Sequence, residues 1–282
     1  MKAFFQRFPG TGYICAHRGA RSIAPENTHM ALDKARQCGA DMWETDVQAS
    51  ADGELVLFHD HELARTTNVA EHEAFSSRKP WPLSGFSATE LSTLDAGSWF
   101  LANDPFCTLA SGEVPEAEFP LIRSQKVPLL REALDYCRNN DFPLNLEIKD
   151  QTGTPADRTI VDAVLGLIAV TGTADLLLIS SFNHAYLRRL RRQNRDIALA
   201  ALVEGQHPDD LPRYLANLGV DAYHPDQRIT DAELIGKVTA AGFPVNLWTV
   251  NELSQAQAFT RAGATAICTD WPQRMVGRCH SS

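Results

Sequence analysis

Apolar runs of strand length alternate with segments of helical periodicity along almost the whole chain. This alternation is typical of a parallel sheet whose strands are joined by crossover helices. The pattern predicts barrel strands near residues 12–17, 42–47, 144–148, 176–181, 197–203, 220–224, 244–249 and 265–269. Helices are predicted at 27–38, 129–138, 156–170, 184–193, 209–218, 231–241 and 253–262. Asn183 and Thr230 are expected to cap helix starts, and Gly39 and Gly242 to follow helix ends. Eight strands in this order favour a closed barrel of the TIM type.

One stretch interrupts the alternation after the second strand. The turn around Asp52-Gly53 separates two short extended runs, which is a hairpin signal. We therefore expect the second strand to rise beyond the barrel rim and to return, bringing His59 and Asp60 beside Glu44 and Asp46. Residues 61–127 are too long for an ordinary loop, so they are predicted to form a small folded insertion over one side of the barrel mouth.

Composition narrows the classes of protein that remain. A chain of 282 residues is long enough for one TIM barrel, so residues 1–282 are expected to form a single domain that contains the insertion. The net charge of −9 argues against a general surface for nucleic acid or anionic membranes. No targeting signal or membrane-length apolar stretch is present, so stable membrane insertion is not expected and a soluble, cytoplasmic protein is. The six cysteines are scattered without a C-x-x-C pair, which gives no sign of a zinc or redox site.

Three acidic residues at predicted strand ends indicate a metal site. Glu44 and Asp46 are two residues apart on one strand, so both carboxylates point to the same face. Two inward carboxylates would repel each other unless a cation lay between them. Glu147, inward on the next barrel strand, adds a third oxygen ligand. This all-oxygen set is typical of Mg²⁺ or Ca²⁺ rather than zinc.

Two histidines are predicted to share the same rim. His17 and Arg18 end the first strand, and His59 returns on the hairpin. A pair of this kind suits general acid-base catalysis near neutral pH, with one residue accepting a proton and the other donating one. Arg18 offers a fork of donors to phosphate oxygens, and an ion pair with a rim carboxylate, Glu26, is also expected.

Other polar and aromatic residues occupy later strand ends. Lys149 points inward, so it must contact either a phosphate oxygen or Glu44. Phe182 and Trp248 are candidates for a ligand wall, although packing is an alternative for both, and the Trp248 N–H requires a polar partner. Asp270, before Trp271-Pro272, is expected to be a helix cap. His224 could line the mouth, with nothing specific to support it.

In this order and spacing, the motifs resemble those of the glycerophosphodiester phosphodiesterases, relatives of the phosphatidylinositol-specific phospholipases C. The similarity covers nearly the whole chain. It runs through His17-Arg18-Gly19, Pro25-Glu26-Asn27-Thr28, Trp43-Glu44-Thr45-Asp46-Val47, Asp52-Gly53 to His59-Asp60, Leu146-Glu147-Ile148-Lys149, Ser181-Phe182, Trp248-Thr249-Val250-Asn251 and Thr269-Asp270-Trp271-Pro272. One departure is Val127-Pro128-Leu129-Leu130-Arg131, where the family usually has an I-P-T-L-E type of sequence.

The resemblance implies a TIM barrel with a small insertion after the second strand. It implies a divalent cation on Glu44, Asp46 and Glu147, with His17 and His59 as the acid-base pair. It also implies a small glycerophosphodiester as substrate, which is cleaved to sn-glycerol 3-phosphate and an alcohol. In the family, the glycerol 2-hydroxyl is thought to attack phosphorus and to give a cyclic phosphate that water then opens.

Three alternatives differ from this reading. A phospholipase D-like activity on lysophospholipids would need a wide apolar mouth and usually a membrane attachment. A non-catalytic phosphodiester-binding barrel would be favoured by loss of a histidine or a metal carboxylate, and all of these are present. A barrel isomerase or aldolase would have no reason to combine three such carboxylates with paired rim histidines. The sequence leaves the head group, the choice between Mg²⁺ and Ca²⁺ and the oligomeric state open.

Overall fold

The computed structural model describes residues 2–279, and its centre is a nine-stranded sheet. The strands are β1 Tyr13–Ala16, β2 Met42–Ala49, β3 Leu55–Leu57, β4 Leu144–Ile148, β5 Leu177–Ser181, β6 Ala198–Val203, β7 Ala222–Pro225, β8 Asn246–Leu247 and β9 Ala266–Thr269. Eight of them are parallel neighbours in the order β7-β6-β5-β4-β2-β1-β9-β8. Two isolated parallel bridges, Tyr223 with Val245 and Asp226 with Trp248, join β7 to β8. The eight strands therefore form the predicted TIM barrel.

Helices surround the barrel and follow most of its strands. The α-helices are α1 Ala3–Gln6, α2 His29–Gln37, α3 Ala88–Thr93, α4 Ser98–Asn103, α5 Phe119–Arg123, α6 Leu130–Asn140, α7 Ile160–Thr171, α8 His184–Gln193, α9 Leu211–Leu218, α10 Ala232–Ala240, α11 Leu253–Arg261 and α12 Pro272–Met275. Short 3₁₀ segments lie at Leu63–Arg65, Val69–Glu71, Glu73–Arg78, Leu83–Gly85, Glu116–Glu118, Pro155–Arg158, Ala174–Leu176 and Gln227–Ile229. Among the described residues, none of the helices has the length and apolar character needed to cross a membrane.

The predicted helix boundaries can be compared with the observed caps. The Asn183 side chain accepts the Ala185 N–H at the start of α8, as predicted. The cap of α10 was predicted one residue too early, because Asp231 accepts the Leu234 N–H there. The Thr230 hydroxyl donates instead to the Asp226 carbonyl. Gly39 and Gly242 follow helix ends with φ of +80° and +90°, a conformation that favours glycine.

The hairpin after β2 is present in the predicted register. β3 pairs antiparallel with the end of β2, so that Val47 lies opposite Leu57. Gly53, in the turn, has φ of +85°, which a side chain would disfavour. Beyond β3, the Phe58 N–H donates to the Asp46 carbonyl at 3.0 Å. This bond returns the chain to the barrel rim immediately before His59.

The main core lies between the outer face of the barrel and its helices, as expected for strands with apolar outward positions. Residues 61–127 contain short helices that pack in two smaller apolar clusters, one around Phe86 and Leu94 and one around Phe100 and Ile122, and both clusters also include residues from outside this segment. The bottom of the barrel interior is lined by small side chains, including alanines of β6, β7 and β9. Phe4, Phe5 and Phe8 fill this space from below and close the lower end of the barrel.

Candidate active site

Three carboxylates converge at the upper end of the barrel interior, and we call them the acidic triad: Glu44, Asp46 and Glu147. Alternation along β2 turns Glu44 and Asp46 inward, and the parallel register places Asp46 beside Glu147 of β4. One oxygen of each lies within 4.8 Å of the others, and all three side chains are buried. This geometry brings together the residues that the sequence predicts to hold a metal.

Burial and neighbouring charges shift the pKa values of the acidic triad in different directions. Burial, followed by the charges of Asp46 and Glu147, raises the pKa of Glu44 well above its usual range. Burial also raises the pKa of Glu147. For Asp46, burial is outweighed by the charges of Lys149, His59 and Arg18, which hold its pKa well below the ordinary value. Three converging carboxylates of this kind fit a hard divalent cation with oxygen ligands.

Lys149 contacts the acidic triad through Glu147 and Asp46 rather than through Glu44. Its Nζ lies 2.8 Å from Glu147 Oε1 and 3.6 Å from Asp46 Oδ1. The register explains the difference, because Asp46 and Glu147 lie one inward position nearer the mouth than Glu44. Of the two predicted partners, Glu44 is therefore wrong among the described residues, and a contact with a phosphate oxygen stays a prediction; the requirement for a charged partner is met by Glu147.

Arg18 is held by carboxylates on several sides. Its backbone N–H donates to Glu44 Oε2 at 2.9 Å, and its Nη1 donates to Glu26 Oε1 at 2.9 Å, which confirms the expected ion pair. Glu26 also accepts from Arg21 and from Arg65 of the insertion. Burial favours the neutral form of Glu26, but the charges of Arg18, Arg21 and Arg65 outweigh it and hold the pKa well below its usual range. The side of the mouth next to Arg18 is thus a network of buried ion pairs.

Each rim histidine is oriented by a carboxylate. His17 Nδ1 lies 2.7 Å from Asp270 Oδ1, and His59 Nδ1 lies 2.6 Å from Asp60 Oδ1. An Nδ1–H that donates to a carboxylate leaves Nε2 as the second ring nitrogen for a ligand. Burial, followed by the charge of Arg18, lowers the pKa of His17 to about 4 against the opposing effect of Asp270. His17 is therefore neutral at pH 7.

The prediction that Asp270 is a helix cap is wrong. Its carboxylate contacts His17, Arg21 and the Asn251 side-chain amide, while α12 starts without a side-chain cap. The cause is the position of β9 next to β1, which places the residue after β9 beside the residue after β1. Sequence neighbours alone do not reveal this pairing.

One cavity of about 70 Å³ unites these residues. Its walls include His17, Arg18, Glu44, His59, Glu147 and Lys149. Phe182 and Trp248 stand at its mouth, with ring centroids 5.5 Å apart and nearly perpendicular planes. The Trp248 indole N–H donates to the His224 carbonyl at 2.8 Å, which supplies the polar partner it requires. His224 itself is buried deeper, below the mouth.

Several contacts were not anticipated from the sequence. Asn27 donates to Asp46 Oδ2 at 2.9 Å and accepts from Thr45, so it orients one carboxylate of the acidic triad. Asn251 orients Asp270 in the same way. Both asparagines lie inside the quoted motifs, which is the signal that could have found them. Arg65 lies in the insertion and had no such signal.

The structure is thus a TIM barrel with three converging carboxylates and two carboxylate-oriented histidines at the carboxyl ends of its strands, an arrangement suited to binding a cation. The sequence model of the glycerophosphoryl diester phosphodiesterase family matches residues 17–274. The chain therefore belongs to that family.

Individual relatives agree with this assignment. A glycerophosphodiester phosphodiesterase of Caldanaerobacter subterraneus is 29% identical over 265 residues, covering 93% of this chain and 96% of the relative. A human glycerophosphoinositol inositolphosphodiesterase is 45% identical over 153 residues, covering 53% of this chain. The matches span only 26% of that human protein and 32% of its mouse counterpart.

A solved structure shows the same fold. An Oleispira antarctica phosphodiesterase in complex with the product sn-glycerol-3-phosphate is 29% identical and superimposes with a TM-score of 0.79. The superposition covers 95% of this chain and 97% of the other.

Proposed function

We propose that this protein hydrolyses glycerophosphodiesters to sn-glycerol 3-phosphate and an alcohol. The observation that carries the proposal is the presence of the acidic triad and both rim histidines in the wall of one cavity. Family membership and the names of the relatives support the same substrate class.

The acidic triad is the proposed site of a divalent cation, Mg²⁺ or Ca²⁺. Its carboxylates fit such an ion because they are buried, close together and only partly balanced by Lys149 and Arg18. When bound, the ion would supply charge stabilisation for the phosphoryl oxygens. Arg18 and Lys149 are positioned to contribute positive charge to the same oxygens.

The two histidines move the protons in this proposal. The glycerol 2-hydroxyl oxygen forms a bond to phosphorus while the bond from phosphorus to the alcohol oxygen breaks. His17 is neutral and suits acceptance of the hydroxyl proton at Nε2, while His59 donates a proton to the departing alcohol. In a second step, water opens the cyclic phosphate with the roles of the histidines exchanged.

Phe182 and Trp248 form the apolar part of the mouth. Because Phe182 is 36% exposed, it can contact the leaving alcohol without enclosing it. We therefore propose that the two aromatic rings contact the substrate and tolerate different head groups.

The test is release of sn-glycerol 3-phosphate from glycerophosphocholine, glycerophosphoethanolamine and lysophosphatidylcholine, each with and without a chelator. We expect turnover of the first two only with metal present. A glycerophosphocholine analogue without the 2-hydroxyl should lose turnover but keep binding, because an intramolecular nucleophile has a high effective molarity that external water lacks. Failure of every glycerophosphodiester to react in the presence of Mg²⁺ or Ca²⁺ would overturn the proposal, and faster turnover of the lysophospholipid would reassign the substrate.

A further inference from the structure

Below the acidic triad, the barrel interior contains a polar layer where TIM barrels usually carry apolar side chains. We call it the polar floor, and it consists of Asn145, Ser180, His224 and Asn246. These side chains belong to β4, β5, β7 and β8, and all are at least nine-tenths buried. All four line the same cavity as the histidines and the acidic triad.

Three atoms of the polar floor have no hydrogen-bond partner among the described residues. They are Asn145 Oδ1, Ser180 Oγ and Asn246 Oδ1. Buried acceptors are rarely left unpaired, because they lose their bonds to water without compensation. The adjacent Ser181 points the other way and shows the usual situation, since its hydroxyl donates to the Ile148 carbonyl at 2.7 Å. The unpaired atoms therefore belong to the side of the strands that faces the cavity.

The chemistry of these atoms selects the group that they can bind. The two unpaired amide oxygens accept hydrogen bonds and the unpaired hydroxyl both donates and accepts, so together they favour a ligand O–H group, which can donate to one and accept from another. His224 adds no charge, because burial lowers its pKa to about 3. A trimethylammonium group has no proton to donate. A neutral hydroxyl is the best match.

The size of the cavity limits how much of a ligand reaches the polar floor. The volume of about 70 Å³ exceeds the roughly 10–15 Å³ that one water molecule requires, so a short hydroxylated fragment has room. Below the floor, Phe4, Phe5 and Phe8 close the barrel, so a ligand with a longer chain would not fit. Arg18 and Lys149 line the same cavity and would hold a phosphate above the floor.

We propose that the polar floor binds the terminal hydroxyl of the glycerol moiety and makes the enzyme select for a polyol on that side of the phosphodiester. The proposal rests on the proposed function above and deepens it. Asn246 and Ser180 are specificity residues in this view, whereas the leaving alcohol stays at the aromatic mouth. Selection should therefore be strict for glycerol and loose for the head group.

The test compares glycerophosphocholine with an analogue that lacks only the terminal hydroxyl and keeps the 2-hydroxyl. A site built for a hydroxyl rejects the analogue strongly, so we expect the wild-type kcat/KM to differ by roughly 10²-fold or more. In Asn246→Leu and Ser180→Ala, this ratio should fall to within about tenfold, mainly through loss of activity on glycerophosphocholine. Ser181→Ala is the matched control, because it removes a hydroxyl from the outer face of the same strand and should leave the ratio unchanged.

Stability separates this role from a purely structural one. Asn246→Leu replaces an unpaired buried oxygen by an apolar group of similar shape, so its melting temperature should equal or exceed that of the wild type. A structural asparagine would instead lose stability on this change. An unchanged substrate ratio in both floor variants would overturn the inference and leave the floor as a site for water only.

A binding experiment keeps the inference testable if the proposed function fails. Should neither diester react, the affinities of the metal-loaded protein for sn-glycerol 3-phosphate and for propane-1,2-diol 1-phosphate are compared by calorimetry. Tighter binding of the glycerol compound that disappears in Asn246→Leu supports the polar floor. Equal affinities in the wild type would overturn it.

Discussion

His17 Nδ1 lies 2.7 Å from Oδ1 of Asp270, a residue 253 positions later in the chain. The contact fixes the histidine tautomer, because an Nδ1–H that donates to the carboxylate leaves Nε2 as the acceptor facing the cavity. Arg21 and Asn251 hold the carboxylate in turn. Asp270 thus positions a proposed catalytic histidine without lining the cavity itself.

Asp270→Asn is expected to lower kcat by about 10²- to 10⁴-fold with little change in KM, because the amide can stabilise the wrong tautomer of His17. The kcat profile against pH should change shape, which a loss of stability alone would not cause. Asp221→Asn breaks an ion pair with Arg191 at the opposite end of the barrel and serves as the control. Wild-type kcat in Asp270→Asn would return the residue to a structural role.

Glu44→Gln should raise the melting temperature of the metal-free protein, because it removes one of three mutually repelling buried charges. The same variant should lose most of the stabilisation that Mg²⁺ or Ca²⁺ gives the wild type, which is about 2.7 kcal/mol at a ligand concentration of 100 Kd. Thermal unfolding with chelator and with added metal measures both effects. Glu113→Gln, which alters a surface pair with Arg274, is the control. A metal-induced shift as large as that of the wild type would exclude Glu44 as a ligand.

Metal affinity should rise with pH. The pKa of Glu44 is raised by burial and then by Asp46 and Glu147, so protons compete with the metal at and below that raised value. In the metal-free protein, the Glu44 carboxyl binds more protons in the folded than in the unfolded state. Its contribution to the free energy of unfolding is therefore present at low pH, and it is lost as the pH rises from about 4.5 through the raised pKa. Calorimetric metal titrations at several pH values test the first statement, and unfolding with chelator tests the second. An affinity that does not change with pH would contradict this account.

His17→Ala and His59→Ala should each lower kcat by at least about 10²-fold without unfolding the protein. The double variant should lose much less than the product of the two effects, since the histidines act on one proton-transfer sequence. Single-turnover rates for the two variants and their combination provide the measurement. His184→Ala is a matched control, because that histidine bonds Tyr214 and the Leu202 carbonyl outside the proposed catalytic pair. Near wild-type kcat in either rim variant would remove that histidine from the mechanism.

Arg65→Met should lower kcat by roughly 10- to 100-fold, the loss typical of residues that orient the side chains around a metal site. Arg65 joins the insertion to the barrel, since its guanidinium bonds both Glu26 and Asp60, the partner of His59. Arg65→Lys should restore only part of the activity, because an ammonium lacks the planar fork. Unchanged kcat in Arg65→Met would show that the insertion does not position His59.

The sequence by itself determined the order of the elements and much of the acidic triad. Strand and helix periods are local, and the two-residue repeat of a strand places Glu44 and Asp46 on one face wherever the strand lies. The rule that parallel strands end at one edge then brought Glu147 and His17 to the same end of the barrel. The hairpin turn at Asp52-Gly53 could also be predicted from neighbouring residues alone.

Only the tertiary structure decided which groups meet across the barrel. Closure places β9 beside β1, so that the distant Asp270 is the partner of His17. The register of β2 with β4 places Lys149 next to Glu147 rather than Glu44. The path of the insertion, which has no periodic signal, decided the position of Arg65. The unpaired atoms of the polar floor were also invisible in the sequence. Whether a buried polar atom has a partner depends on neighbours from separate strands, and their relative heights are set by strand register and barrel closure rather than by local sequence.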